Sequence, residues 1–300
     1  MKSMVEMQGT LFLFVLVGIY TQKKGIITSR NRKKFTDLII EVILPCNIVS
    51  SFLIKWSHSL LINCAAAFVV AIATQIGYVI LSKVLFRKSE KNRQAVLRYA
   101  IICSNAGFLG NPIVESIFGS TGLLFASVAL IPLRFAMWSS GLALFTKTDG
   151  KSTAKKLITH PCIIAVFVGF VLMLTQIKLP GFMLKTISEV GSCNTAISMI
   201  VIGSILAEIN VKKILDKELL LYSLIRLLAI PLVILGMLSL LKVDQLVTGV
   251  IVLLSAMPAG STTVMLADKY DGDAKFATSC VFLSTILSLI TIPLVSILLI

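Results

Sequence analysis

The chain has 300 residues, 57% of them hydrophobic, and a mean hydropathy of +0.96. Soluble domains carry about 45–50% apolar residues, so this composition excludes one. The formal net charge of +14 would suit a nucleic-acid partner, but its distribution along the chain argues for membrane topology instead.

Apolar runs long enough to span about 30 Å of hydrocarbon fall near 7–21, 36–54, 60–82, 96–118, 121–146, 157–177, 183–207, 219–241, 246–268 and 275–299. They predict an all-α membrane protein with ten transmembrane helices. The first run is short and follows Lys2, yet no small-x-small cleavage site comes after it, so it reads as a retained helix. Basic residues crowd the loops after helices one, three, five, seven and nine, most densely Lys23, Lys24, Arg30, Arg32, Lys33 and Lys34, then Lys83, Arg87, Lys88, Lys91 and Arg93. The opposite loops and ends hold only Lys2, Lys55, Lys178, Lys185 and Lys242. This positive-inside pattern predicts a multi-pass protein of the cell membrane with both termini outside the cytoplasm. The same clusters can attract anionic lipid headgroups, so membrane lipid is an expected partner and nucleic acid is not.

The fourth run is broken by Cys103-Ser104-Asn105-Ala106-Gly107-Phe108-Leu109-Gly110-Asn111-Pro112, and the ninth by Ser255-Ala256-Met257-Pro258-Ala259-Gly260-Ser261-Thr262-Thr263. Glycine and proline loosen or remove helix hydrogen bonds and so free backbone polar groups that lipid cannot satisfy. A pair of such breaks in corresponding positions is the sequence mark of a secondary transporter's binding site. The polar stretch Lys147–Lys156 divides the chain into 1–146, a short cytosolic linker 147–156, and 157–300. Five helices per half require opposite orientations, hence a 5+5 inverted repeat in which the broken fourth and ninth helices cross at mid-membrane. The half-helices that restart after each break then aim N-termini at one point, which makes an anion site. Pro112 and Pro258 suit the first turns of those half-helices.

The expected substrate-binding residues are Asn105, Asn111, Pro112, Pro258, Gly260, Ser261, Thr262 and Arg134. Amides and hydroxyls at a break can meet a solute, although they can equally cap freed backbone groups. Arg134, deep in helix five, offers a planar fork for a carboxylate, and Glu115, one turn past Pro112, offers a proton-coupling group. The competing reading joins Glu115 and Arg134 in an ion pair that closes the transport domain. Asp268, attached to the second broken helix, is a further coupling candidate. Glu41 and Arg226 face either a cavity or an interface. The six cysteines lie inside apolar runs as packing residues, and neither a metal cluster nor a cofactor motif is present. No nucleophile elbow or phosphate loop points to an enzyme.

These residues resemble the auxin efflux carrier family of plant auxin exporters and bacterial carriers of small organic acids. The first break is similar to its fourth-helix motif, here Ser104-Asn105 through Gly110-Asn111-Pro112. The C-terminal third is similar to its signature at Ala256-Met257-Pro258-Ala259-Gly260, Ala267-Asp268-Lys269-Tyr270, Leu283-Ser284-Thr285-Ile286-Leu287-Ser288 and Ile292-Pro293-Leu294. The resemblance implies the fold of bile-acid symporters and sodium/proton antiporters, with helices one, two, six and seven as a scaffold and the others as a mobile transport domain. It departs from many members in the short central loop, in Arg134, and in His160-Pro161 where Asn-Pro is usual. The expectation is a secondary carrier, of efflux type, that moves small organic anions such as carboxylates by alternating access. It would dimerise through its scaffold and couple, where coupled, to a proton or sodium. Sodium- or proton-coupled symport or antiport of another solute, and a non-transporting membrane sensor, are the alternatives.

Overall fold

Prolines follow three of the four π turns among the described residues, all but Met137–Gly141, and glycines set where helices break or touch. The computed structural model describes residues 2–53, 57–145, 159, 161–207, 216–260, 262–270 and 272–299; the linker 147–156, His160, Glu208 and Ser261 lie outside them. The first half contains α1 (Lys2–Lys23), α2 (Ser29–Leu38), α3 (Leu44–Phe52), α4 (His58–Val84), α5 (Lys91–Ile102) and α6 (Asn111–Ala136). The second contains α7 (Pro161–Thr175), α8 (Gly181–Leu206), α9 (Lys217–Leu224), α10 (Ile230–Leu240), α11 (Gln245–Ser255), α12 (Thr262–Lys269) and α13 (Ala274–Leu298). A Thr28/Asn31 capping box starts α2, and the Asp216 and Asp244 side chains accept from the first N–H groups of α9 and α11.

Three π turns, Ile39–Ile43, Ala106–Gly110 and Ile225–Ala229, each end two residues before a proline: Pro45, Pro112 and Pro231. Proline lacks an N–H and its ring crowds the carbonyl four residues back. Widening one turn absorbs both defects without ending the helix. α2, the first π turn and α3 therefore run on as one span, as do α9, the third π turn and α10. Gly119, at φ +66° and ψ −163°, does the opposite: it breaks α6 into two helical runs at a conformation that favours glycine.

Among the described residues, five helices are long and apolar enough to cross a membrane: Arg30–Phe52, His58–Val84, Asn111–Leu144, Lys217–Leu240 and Ala274–Leu298. Leu13–Lys23, Pro161–Thr175 and Gln245–Ser255 are shorter apolar helices. The protein is an all-helical, multi-pass membrane protein.

The helices pack in two groups. In one, α1 lies along α8, and α3 packs on both α7 and α8. Small residues allow this closeness: a Cβ on Gly18 would overlap Ile200 O, one on Gly203 would overlap Val15 O, and one on Gly191 would come within 2.9 Å of the Asn47 backbone. Arg32 ties one end of this group by donating from Nε and Nη2 to Ser204 Oγ and O, at 2.9 and 3.0 Å. The other group gathers α4, α5, α6 and α9 to α13 around the buried residues of α5 and α11. The groups meet chiefly where α6 crosses α3, with lighter contact of α6 on α7 and α8. Helices one, two, six and seven, expected as scaffold, are the members of the first group.

Candidate functional site

α5 ends at Ile102 and α11 at Ser255, and the extended segments that follow them cross antiparallel. An isolated bridge pairs Ser104 with Ala259. Asn105 N donates to Pro258 O at 2.8 Å and Gly260 N to Cys103 O at 3.3 Å. Ser284 of α13 accepts from Ala259 N at 3.2 Å while donating back to Cys280 O in its own helix. Gly260 is required by proximity: a Cβ there would lie 3.2–3.4 Å from Thr262 Oγ1, Ser104 O and Cys103 O.

Backbone groups freed by a break inside a membrane must be paired, and the carbonyls at the end of α5 are. Tyr99 O accepts from Cys103 N, and Ala100 O from Tyr222 Oη at 3.1 Å. Ile101 O accepts from Arg226 Nη1 at 3.2 Å, and Ile102 O from Gln75 Nε2 at 2.9 Å. Arg226 Nε also donates to Met257 O, at 3.2 Å, beyond the end of α11. Arg226 is fully buried and sits over the Tyr78 ring, 4.8 Å from its centre. Arg226 therefore neither faces a wide cavity nor snorkels. It holds the crossing together from the side of the helix C-termini.

A second arginine approaches from the other side. Arg134 of α6 is 5% exposed, and a Cβ on Gly107 would lie 3.7 Å from its Nη2. The guanidinium thus rests against the first turn of the restarted half-helix, whose leading N–H groups carry partial positive charge. Its Nη1 is buried without a hydrogen-bond acceptor, and among the described residues no carboxylate forms an ion pair with it. The expected Glu115–Arg134 pair is not formed. Glu115 points instead to the first helix group, where its Oε2 accepts from Asn47 Nδ2 of α3 at 3.0 Å. The reason is angular: Gly119 turns the chain between the two residues, so they approach from different helical runs.

The other predicted residues are distributed as follows. Asn105 is half-buried at the N-cap of the π turn, where its carbonyl accepts from Leu109 and Gly110 and its side chain makes no cap hydrogen bond. Asn111 is fully buried with neither amide atom paired. Pro112 is buried in the first turn of α6, directly after the π turn, whereas Pro258 lies in the crossing itself and does not open its half-helix. Thr262 starts α12, and its neighbour Thr263 is fully buried with an unpaired Oγ1. Ser261 and the side chain of Asp268 lie outside the described residues; the Asp268 backbone is in α12. Glu41 is exposed on the first π turn.

Gln75, Tyr222 and Asn47 were not singled out by the sequence, and Ser284 only as part of the C-terminal signature. Gln75, an amide in a 27-residue apolar helix, was the visible signal among them. Between the crossing and α4 is a cavity of about 30 Å³ lined by Gln75, Tyr78, Ser104, Arg226 and Ser255. That holds about two waters, so it is not where a multi-carbon solute sits.

The profile of the membrane transport protein family matches residues 4–155 and 149–296, essentially the whole chain. The chain belongs to this family, the auxin efflux carriers that its two breaks resemble. It is 27% identical over 298 residues to an uncharacterized transporter of Methanothermobacter thermautotrophicus, covering 97% of this chain and 96% of the relative. It is 24% identical over 294 residues to an uncharacterized transporter of Methanocaldococcus jannaschii, covering 95% of each. The uncharacterized transporter YfdV of Escherichia coli is 21% identical over 300 residues, with 95% and 94% covered. The protein is a membrane transporter.

Proposed function

We propose that this transporter is a secondary carrier of small organic anions, carboxylates in particular, working by alternating access at the crossing. The observation that carries this reading is the position of Arg134. Positive ends of helices and a buried guanidinium repel one another, yet Arg134 lies against Gly107 at such an end with an unpaired donor. An anion between them relieves the repulsion and completes both sets of donors. A carboxylate suits the fork of the guanidinium and the N–H groups together. Arg226 differs in what it meets: its Nε and Nη1 donate to carbonyls at helix C-termini, with only Nη2 left buried and unpaired.

In this reading the chain forms ten transmembrane helices as a 5+5 inverted repeat, and α5/α6 and α11/α12 are its broken fourth and ninth helices. Asn105, Asn111, Pro112, Pro258, Gly260, Ser261 and Thr262 shape the site with Arg134. The second helix group moves against the first, exporting its solute across the cell membrane, with both termini outside the cytoplasm. Glu115 is the leading coupling group, since its hydrogen bond to Asn47 joins the two groups. Asp268 is the second candidate. The first group is the expected dimer surface.

The test is binding by purified protein, read as thermal stabilisation with matched sets of solutes: small mono- and dicarboxylic acids, their amides, and amines of the same carbon skeleton. Stabilisation by acids alone is expected. Stabilisation by amides or amines, with acids inert, contradicts the anion reading.

A further inference from the structure

The crossing has two electrically unlike sides, and Arg226 occupies the one where carbonyls gather. α5 and α11 both deliver their C-terminal ends there, each equivalent to about half a negative charge. One guanidinium donates to both ends, through Nη1 to Ile101 O and through Nε to Met257 O, each at 3.2 Å. The side chain is 0% exposed and forms no ion pair with a carboxylate of the described residues. A single positive charge therefore balances two helix ends of about half a charge each, with Tyr78 stacked beneath it. Gln75 and Tyr222 take the neighbouring carbonyls of Ile102 and Ala100. Without the arginine, this place would be a cluster of carbonyl oxygens at two half-helix ends, Ile101 O and Met257 O unpaired among them, beside a cavity of about 30 Å³. Such clusters coordinate sodium in carriers with discontinuous helices.

We propose that Arg226 is a resident counter-cation: its guanidinium holds the position a coupling metal ion would need, so the crossing is assembled and charge-balanced without sodium. The consequence for flux, sodium-independent movement of the solute, rests on the carboxylate reading above. The assignment of Arg226 does not, and its test uses no solute. Arg226 acts through the backbone of the crossing and is a positioning residue.

The experiment is thermal unfolding of the purified full chain in sodium chloride or choline chloride at equal ionic strength, for the wild type and for Arg226→Ala. The wild type should melt within about 1 °C in the two salts, because no site binds sodium in preference. Arg226→Ala should melt lower by on the order of 10 °C, since two carbonyl ends lose their donor. It should regain several degrees with sodium, or with methylguanidinium below denaturing concentrations, and nothing with choline. Sodium stabilisation of the wild type overturns the proposal, and so does an Arg226→Ala variant that responds alike to every cation. If Arg226→Ala gives no folded protein, Arg226→Lys and Arg226→Met decide the matter. Lys melting above Met and indifferent to sodium upholds the resident charge, and equal melting of the two overturns it.

Discussion

Replacing Arg134 by glutamine separates a ligand from a strut. The guanidinium rests against Gly107, its Nη2 3.7 Å from where a Cβ there would lie, and a unit charge roughly 5 Å from about half a positive charge is repelled by about 1–2 kcal/mol at an effective dielectric of about 20. Nη1 has no acceptor and no ion pair engages the side chain, so its removal breaks no salt bridge among the described residues and costs only a weak hydrogen bond with the Cys162 thiol. The empty protein should therefore melt at the same temperature or slightly higher. Affinity should behave differently. A carboxylate held by charge-assisted hydrogen bonds loses about 1.5–3 kcal/mol when the charge goes, or roughly 10- to 150-fold in Kd. Both quantities come from one titration of solute against melting temperature. Had Arg134 been half of a buried ion pair, glutamine would instead lower stability by about 3–5 kcal/mol. A Tm several degrees lower with unchanged Kd would refute the reasoning.

Three other substitutions have defined outcomes. Asn111→Leu removes a fully buried amide whose two polar atoms are unpaired, and should stabilise the protein by about 1–3 kcal/mol while lowering flux; a loss of stability would mean the amide is paired. Glu115→Gln keeps an oxygen for Asn47 Nδ2, so melting should change by under about 1 kcal/mol, while flux should lose its response to a pH gradient; an unchanged response removes Glu115 as the coupling group. Gly203→Ala forces a Cβ into Val15 O and should separate α1 from α8, costing about 3 kcal/mol or more and lowering the yield of folded protein in detergent.

The two breaks were legible because their signal is local: glycine and proline disturb the helix at their own positions. Their partnership was legible too, since two interruptions at matching places have few uses inside a membrane other than to meet. The fine placement of Pro112 and Pro258 was not. Proline is also tolerated after a π turn or in an extended crossing, and the sequence signal is the same for all three. Pro112 enters the first turn of α6 just after the π turn at 106–110, whereas the Asn105–Pro258 hydrogen bond keeps Pro258 out of a helix altogether. Charges were found but not assigned. Arg134 and Arg226 look alike as lone arginines in apolar runs, each keeps one buried donor unpaired, and only the direction of the helix end each one meets separates them. The Glu115–Arg134 pair failed for a related reason: the turn at Gly119 fixes the angle between the two runs, and composition does not encode that angle. Gln75, Tyr222 and Ser284 reach the crossing from 25 or more residues away in sequence, which no local pattern reports.

The most direct test of an anion site at the crossing is solute counterflow in proteoliposomes. Vesicles loaded with an unlabelled small carboxylic acid are diluted into a trace of the same acid in labelled form. Transient accumulation of label is predicted for the wild type, with loss in Asn105→Ala and a rightward shift in concentration dependence in Arg134→Gln. Folded, correctly oriented protein that exchanges no carboxylate, or that exchanges neutral or cationic solutes instead, would contradict it.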